Sequence, residues 1–186
     1  PGLVVVDEAY AQFANWTALD LVAEDQPLVV TRTFSKTWSM AGARLGYLIG
    51  PTWLVAELDK VVLPYHLDAV KQIAGRLALR FCDDMNARVE QIVSERERIV
   101  DSLAGLPVDV FASGANFVLF RVRPGGLDGR AVWQGLVDRS VLIRDCSSWP
   151  RLENCLRVTI GTPQENTEFL AALADVLAPI SEGVRS

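Results

Sequence analysis

The sequence predicts an α/β fold in which a mostly parallel sheet with helices is followed by a small α+β domain. A continuous apolar run at residues 3–6 is typical of a strand buried on both faces of a parallel sheet. A strand, helix, strand order follows it, and this order predicts a right-handed parallel crossover. The later residues alternate differently, with short strands and only two helices, which favours an α+β layer.

The first half of the chain is predicted to contain three strands and four helices. They are strands over 3–6, 28–31 and 44–49, and helices over 16–24, 52–63, 68–81 and 83–103. Pro27, Pro51 and Pro64 punctuate the elements, because proline cannot continue a helix. The charged residues of the longest helix indicate a solvated face.

The second half is predicted to contain four strands and two helices. They are strands over 108–111, 116–122, 141–144 and 156–160, and helices over 129–140 and 164–177. Thr162 is a candidate N-cap of the last helix, with Pro163 at the first helical position and Glu165 at the third. The boundary between the two domains is placed near residue 80.

Composition narrows the classes of function. The chain has 18 basic and 23 acidic side chains and a net charge of −5, which argues against nucleic acid as a partner. No apolar run approaches the ~20 residues of a membrane span, and no signal segment opens the chain. We therefore expect a cytoplasmic protein with no membrane partner. Three scattered cysteines and one histidine suggest neither disulfides nor a metal site.

Site chemistry is concentrated in residues 31–47, between two apolar strands. Lys36 stands among hydroxyl side chains and Arg44 follows eight residues later, which offers an amine for covalent work and a cation for a phosphate. Pyridoxal phosphate needs both. A surface lysine in a Ser/Thr-rich turn is the simpler alternative, but Asp7 and Tyr10 at an upstream strand end favour the cofactor site. Asp7 by itself fits a turn cap equally well.

Residues 32–47 resemble the lysine motif of fold-type I, pyridoxal-phosphate-dependent aminotransferases of class I/II, in the variant of the histidinol-phosphate aminotransferases. The resemblance covers nearly the whole chain but only the C-terminal half of such an enzyme. It implies that residues 1–80 are the remainder of a large cofactor-binding domain. Residues 81–186 would be a small C-terminal domain that includes a long connecting helix. It also implies a homodimer, and a segment that is incomplete as an enzyme by itself.

The resemblance implies one catalytic residue within a set of cofactor contacts. The set is Asp7, Tyr10, Thr33, Ser35, Lys36 and Arg44. Lys36 would hold the cofactor through its amine and then move a proton as general base and acid. Asp7 would keep the ring nitrogen protonated, and Tyr10 would hydrogen-bond the phenolate oxygen. The remaining three would contact the phosphate.

Two arginines are implied in substrate binding. Residues 154–161 resemble the family strand whose arginine, here Arg157, pairs with the amino-acid carboxylate. A charge in an apolar strand is costly unless it is paired, and a ligand carboxylate would pair it. Arg144 would bind a distal acid, either the phosphate of histidinol phosphate or the side-chain carboxylate of glutamate. A salt bridge from Arg144 to Asp145 or to another acidic residue is the alternative.

The implied activity is transamination in histidine biosynthesis, from glutamate to imidazole-acetol phosphate. Threonine-phosphate decarboxylases and aromatic aminotransferases share the lysine motif, so the amino acceptor stays open. A non-catalytic, aminotransferase-like regulatory module is a third interpretation. The full set of site residues argues against a decayed enzyme but not against a regulatory role.

Overall fold

A computed structural model describes residues 2–183, with side chains up to residue 178. The chain divides into two compact units, Pro1–Glu90 and Gln91–Ser186. The division falls inside the longest α-helix of the described residues, α3 (Cys82–Leu103). No helix in the described part of the chain is both long and apolar enough to cross a membrane.

The first unit contains a three-stranded sheet in the order β1-β2-β3. Its strands are β1 (Val4–Asp7), β2 (Leu28–Thr33) and β3 (Gly46–Ile49). β1 and β2 are parallel, with Val4 opposite Leu28 and Asp7 opposite Thr31, which confirms the predicted pairing. β3 is antiparallel to β2, an arrangement that a connecting loop can make without a crossover helix.

The predicted helix over 16–24 is wrong, because only a 3-10 turn at Ala18–Leu21 forms there. The buried carboxylate of Glu8 accepts hydrogen bonds from the Thr17 hydroxyl and from the Ala18 N–H. These tertiary hydrogen bonds fix the first residues of the segment. An α-helix this short is only marginally stable by itself because its first turn is costly to form, so it does not form here. The parallel connection is therefore made without an α-helix.

The helices of the first unit begin where they were predicted and differ in where they end. The predicted helix over 52–63 is the shorter α1 (Thr52–Asp59). Pro64 disfavours helical backbone in the residue before it, and β-branched residues at 61 and 62 weaken the last turn. The helix over 68–81 is confirmed as α2 (Ala69–Ala78), whose N-cap Asp68 accepts from the Lys71 N–H at 2.9 Å. A 3-10 turn at Leu79–Phe81 joins it to α3.

β1 is not buried on both faces, as its apolar sequence predicted. It forms the edge of its sheet, and Val4 and Val5 are 52% and 58% exposed. Leu3, which precedes the strand, is similarly exposed. Within the described residues, no further strand pairs with β1. The apolar run therefore presents an uncovered strand to solvent.

The second unit is an antiparallel sheet packed against helices, which confirms the predicted α+β layer. The strands, in the sheet order β4-β5-β7-β6, are β4 (Val108–Val110), β5 (Phe117–Val122), β7 (Cys155–Thr159) and β6 (Arg144–Asp145). The helices α4 (Gly129–Val137) and α5 (Pro163–Gly183) accompany them, together with the C-terminal part of α3. One sheet face packs into the core through Val118, Phe120 and Leu156. The other face carries Arg157.

Hydrogen bonds of side chains decide two of the remaining element ends. The predicted strand over 141–144 is largely wrong: only Arg144 of this range pairs with β7, followed by Asp145. The indole of Trp133 donates to the Ile143 carbonyl at 2.9 Å, so this carbonyl is occupied before the strand begins. The helix predicted over 129–140 ends at Val137. The start of α5 is confirmed: the Glu165 N–H donates to the Thr162 hydroxyl, and the Thr162 N–H donates to the Glu165 carboxylate.

Candidate active site

The loop between β2 and β3 is closed by its own backbone. The Phe34 N–H donates to the Leu45 carbonyl and the Met40 N–H to the Phe34 carbonyl, both at 3.0 Å. The buried Phe34 ring also contacts the rings of Trp38 and Tyr47. These contacts fix the loop from inside while Lys36 remains exposed on its outside.

The structure brings Lys36 and Tyr10 together. The Lys36 Nζ lies 5.2 Å from the centroid of the Tyr10 ring. Of the three lysines in the chain, Lys60 and Lys71 are each ion-paired within their own helical segment, with Glu57 and Asp68. No ion pair to Lys36 occurs among the described residues. Lys36 is therefore the one lysine of the three whose amine forms no ion pair with a carboxylate among the described residues.

Asp7 is the last residue of β1 and lies opposite Thr31, next to the start of the lysine loop. Because β1 and β2 are parallel, their carboxyl ends share one edge of the sheet, where ligands of α/β sheets usually bind. The Asp7 carboxylate is exposed, and its Oδ1 accepts from the Ala9 N–H at 3.0 Å. The turn-capping contact is thus formed, and it occupies only one carboxylate oxygen.

The three predicted phosphate contacts lie at the end of β2 and on the loop that follows it. The Thr33 hydroxyl accepts from the Ser35 N–H at 3.0 Å and donates to the Leu45 carbonyl. Arg44 has a left-handed backbone with φ of 50°, which is costly for a residue with a side chain. Its Nη1 donates to the Ala41 carbonyl at 3.1 Å. The guanidinium stays exposed, and among the described residues it forms no hydrogen bond with the Thr33 or Ser35 hydroxyl.

Sequence reasoning missed a partly buried ion pair at this edge of the sheet. Arg32 contacts the Glu8 carboxylate through Nε at 3.0 Å and Nη2 at 2.8 Å. Burial by itself would raise the pKa of Glu8, but the Ala18 N–H, the Arg32 guanidinium and the Thr17 hydroxyl outweigh it and hold that pKa below its usual value. The pair ties the residue after Asp7 to the residue before Thr33. It therefore fixes the ends of both strands that carry the site.

Register is the signal that could have found this pair. Asp7 faces Thr31 in the parallel ladder, so Glu8 and Arg32 follow at matching positions, one residue beyond each. Opposite charges at matching positions of neighbouring strands favour pairing. The strand pairing itself had to be known before this signal could be used.

Arg157 and Arg144 face each other in the second unit. They are Cα partners across β7 and β6, so their side chains lie on the same sheet face. Both line a cleft of about 520 Å³ with Trp133, Leu142 and Thr159. Like charges directly opposite one another are destabilising unless something neutralises them. The cleft therefore suits an anion.

The alternative bridge from Arg144 to Asp145 is not formed. The Asp145 carboxylate instead lies 3.4 Å from Nη1 of Arg130 and accepts from the Ser147 N–H at 2.9 Å. Burial by itself would raise the pKa of Asp145, but these donors outweigh it and hold that pKa below its usual range. Arg144 is exposed and forms no ion pair within the part of the chain that the structure describes.

Known proteins resemble this chain over nearly its whole length. The sequence model of the family "Aminotransferase class I and II" matches residues 1–173. The chain is 44% identical over 181 residues to histidinol-phosphate aminotransferase 2 of Bordetella parapertussis, covering 96% of this chain and 49% of that protein. It is 44% identical over 189 residues to histidinol-phosphate aminotransferase of Mycobacterium avium, covering 98% and 46%. The chain thus spans about half the length of the curated relatives it matches.

Solved structures agree with these relatives. Histidinol-phosphate aminotransferase from Sinorhizobium meliloti, in complex with pyridoxal-5'-phosphate, matches with a TM-score of 0.80 and 27% identity, over 95% of this chain and 49% of that one. Histidinol-phosphate aminotransferase from Clostridium acetobutylicum matches with a TM-score of 0.82 and 24% identity, over 95% and 55%. The second likeness bears on the fold alone.

Proposed function

The chain belongs to the class I and II aminotransferase family, and on this premise we propose that it carries the lysine-bearing part of a pyridoxal-phosphate-dependent transaminase. The proposed reaction is that of histidinol-phosphate aminotransferase, in which glutamate aminates imidazole-acetol phosphate to give histidinol phosphate and 2-oxoglutarate. The observation that carries the proposal is the unpaired Lys36 amine beside Tyr10, in a chain 44% identical to proteins of that name.

The residues at the sheet edge fit pyridoxal phosphate. When bound, the cofactor supplies an electron sink for the carbanion formed at the substrate Cα. Lys36 has a free amine for covalent attachment, and after release it can take and return the Cα proton. Asp7 has a free carboxylate oxygen that can hold a proton on the ring nitrogen. The Tyr10 hydroxyl would donate to the phenolate oxygen.

The phosphate end fits residues of the same loop. The Arg44 guanidinium is exposed and uses one donor on the Ala41 carbonyl, which leaves further donors for an anion. We assign the Thr33 and Ser35 hydroxyls as further donors to the cofactor phosphate. Their side chains lie at the end of β2, where the loop begins.

The substrate would be held by the two arginines of the second unit. The Arg157 Nε is buried and has no hydrogen-bond partner in the structure, so a carboxylate must approach the two terminal nitrogens. Such a bidentate, charge-assisted contact fixes both the position and the orientation of the substrate. Arg144, exposed at the other side of the pair, would take the distal phosphate or carboxylate.

Replacing Arg157 and replacing Arg144 are expected to lower kcat/KM for different sets of substrates. Replacing Arg157 with alanine in the full-length protein should lower kcat/KM for every amino-acid donor. Replacing Arg144 should lower it selectively for phosphorylated or dicarboxylic substrates. Each charge-assisted contact is worth roughly 1.5–3 kcal/mol, so each loss should be about ten- to a hundredfold. Steady-state kinetics with glutamate, 2-oxoglutarate and a monocarboxylic amino acid measures both.

Arg123 offers the matched control for these variants. It lies just beyond β5, and its exposed side chain pairs with Asp109. Arg123→Ala should leave all three substrates unaffected. A uniform loss across substrates with Arg144→Ala would refute the division of roles between the two arginines.

The amino acceptor decides between the proposed reaction and its relatives. The assay supplies the full-length protein with glutamate and imidazole-acetol phosphate, and separately with threonine phosphate. Histidinol phosphate formed in the first reaction supports the proposal. Release of carbon dioxide from threonine phosphate, without transamination in the first reaction, would replace it with a decarboxylase.

We further infer a cytoplasmic homodimer that acts on small molecules. The biosynthetic reaction of the named relatives supports the location. An exposed apolar stripe along α2 and the 3-10 turn after it supports association: Val70 and Ile73 are 76% and 64% exposed, and Leu77 and Phe81 continue it at helical spacing. Light scattering on the full-length protein should give the mass of two copies. Charged substitutions at Val70 and Ile73 together should shift that mass toward one copy.

The 186 residues by themselves are not expected to turn over substrate. The exposed valines of β1 leave an apolar strand uncovered at the edge that carries Asp7. We expect protein beyond this chain, or a second copy, to cover that strand and to complete the cofactor pocket. Titrating pyridoxal phosphate into the isolated chain should give weak binding without transamination. Stoichiometric, tight binding with turnover would contradict this expectation.

A further inference from the structure

We propose that Phe117 positions Arg157 for carboxylate binding, a role that rests on the proposed transaminase function. The guanidinium carbon of Arg157 lies over the Phe117 ring, 4.9 Å from its centroid. This distance is within the range in which an aromatic face attracts a cation. Phe117 would act through Arg157, without touching the substrate.

The sheet register explains why the ring reaches the arginine. Leu119 of β5 lies directly opposite Arg157 of β7, and Phe117 lies opposite Thr159. Phe117 is therefore the diagonal neighbour of Arg157 on the same face, a separation that an aromatic side chain can span. On its other side, Arg157 faces Arg144. Its direct cross-strand neighbours are thus an aliphatic side chain and a like charge.

Neither of these neighbours can hold the guanidinium in place. Leu119 has no acceptor, and Arg144 repels it. The buried Nε of Arg157 makes no hydrogen bond in the structure, so this nitrogen does not anchor the side chain either. The Phe117 ring supplies the attraction that the register does not. An arginine already held in its binding rotamer loses less freedom when a carboxylate arrives.

The test compares ring-free and ring-containing variants in the full-length protein. Phe117→Leu and Phe117→Met keep an apolar side chain without the ring, and Phe117→Tyr keeps the ring. KM for glutamate should rise by roughly three- to thirtyfold in the ring-free variants, as expected for a lost cation–π contact. kcat should change by less than about twofold, because the contact concerns binding of the carboxylate. Phe117→Tyr should restore the wild-type KM.

Phe111 supplies the matched control on the same unit. Its ring lies 5.5 Å from the guanidinium carbon of Arg121, which also donates to the backbone carbonyls of Glu153 and Arg151. Phe111→Leu removes the same kind of contact from an arginine outside the proposed site. It should leave KM for glutamate unchanged, whereas a general effect of losing a ring would raise KM in both variants.

A binding measurement separates this inference from the proposed function. Calorimetry with maleate, a dicarboxylate that cannot be transaminated, should show the same three- to thirtyfold weakening in both ring-free variants. Equal maleate affinity in wild type and Phe117→Leu would overturn the inference, and so would an equal weakening in Phe111→Leu. A wild-type protein that binds maleate but does not transaminate would overturn the proposed function alone. Thermal unfolding of each variant identifies any that fails to fold, in which case Phe117→Met decides.

Discussion

Alanine at Lys36 in the full-length protein is expected to reduce transamination by roughly a thousandfold or more, because general acid–base catalysis alone accounts for a factor of that order. The same change removes the only lysine amine that the structure leaves without a carboxylate. Both covalent attachment and proton transfer at the substrate Cα would therefore be lost in one substitution.

Borohydride reduction of the yellow holoenzyme measures the attachment directly. Peptide mapping after reduction should find the cofactor on Lys36 in the wild-type protein and should find none in Lys36→Ala. Lys60→Ala and Lys71→Ala are the matched controls, since both residues are ion-paired and lie outside the lysine loop. Either control losing the label would show that the attachment site has been assigned to the wrong residue.

Features encoded in short stretches could be predicted from the sequence. The capping contacts between Thr162 and Glu165 involve residues only three positions apart, and α5 begins at Pro163 as expected. Asp68, the first residue of the helix predicted over 68–81, caps α2. Local hydrogen bonds of this kind depend on neighbouring residues, so composition and spacing reveal them.

Features set by distant contacts could not be predicted in the same way. The segment over 16–24 has helical composition, but the Glu8 carboxylate holds Thr17 and Ala18 in a 3-10 arrangement. The strand predicted over 141–144 is cut short where the Trp133 indole binds the Ile143 carbonyl. In both cases a side chain about ten residues away outweighs local propensity.

The candidate site also combines residues that the sequence pattern predicted with contacts that depend on strand register. Lys36 and Tyr10 follow from the residue pattern, and the structure places them in contact. The supporting pair of Glu8 and Arg32 depends on the register of β1 and β2, which the residue pattern does not state. The stacking of Phe117 on Arg157 depends similarly on the register of β5 and β7.

Substitution of Asp7 should give the second large effect. The hydrogen bonding of Asp7 allows its proposed role at the cofactor ring to be tested separately from its role in capping the turn. Its Oδ1 accepts from the Ala9 N–H, and an asparagine oxygen can accept the same bond. Asp7→Asn should therefore keep the turn and the thermal stability while losing the negative charge. Asp7→Ala should lose both.

Exchange of the glutamate Cα hydrogen with deuterated solvent reports the proton-transfer step. Removing the charge should slow this exchange by roughly a hundred- to a thousandfold, the size of effect seen when one stabilising group of a transition state is lost. Asp7→Glu should retain part of the rate, because the carboxylate is kept on a longer side chain. Wild-type exchange in Asp7→Asn would mean that Asp7 serves only as a cap. A loss confined to Asp7→Ala, accompanied by lower thermal stability, would lead to the same conclusion, since only the hydrogen bond to Ala9 distinguishes that variant from Asp7→Asn.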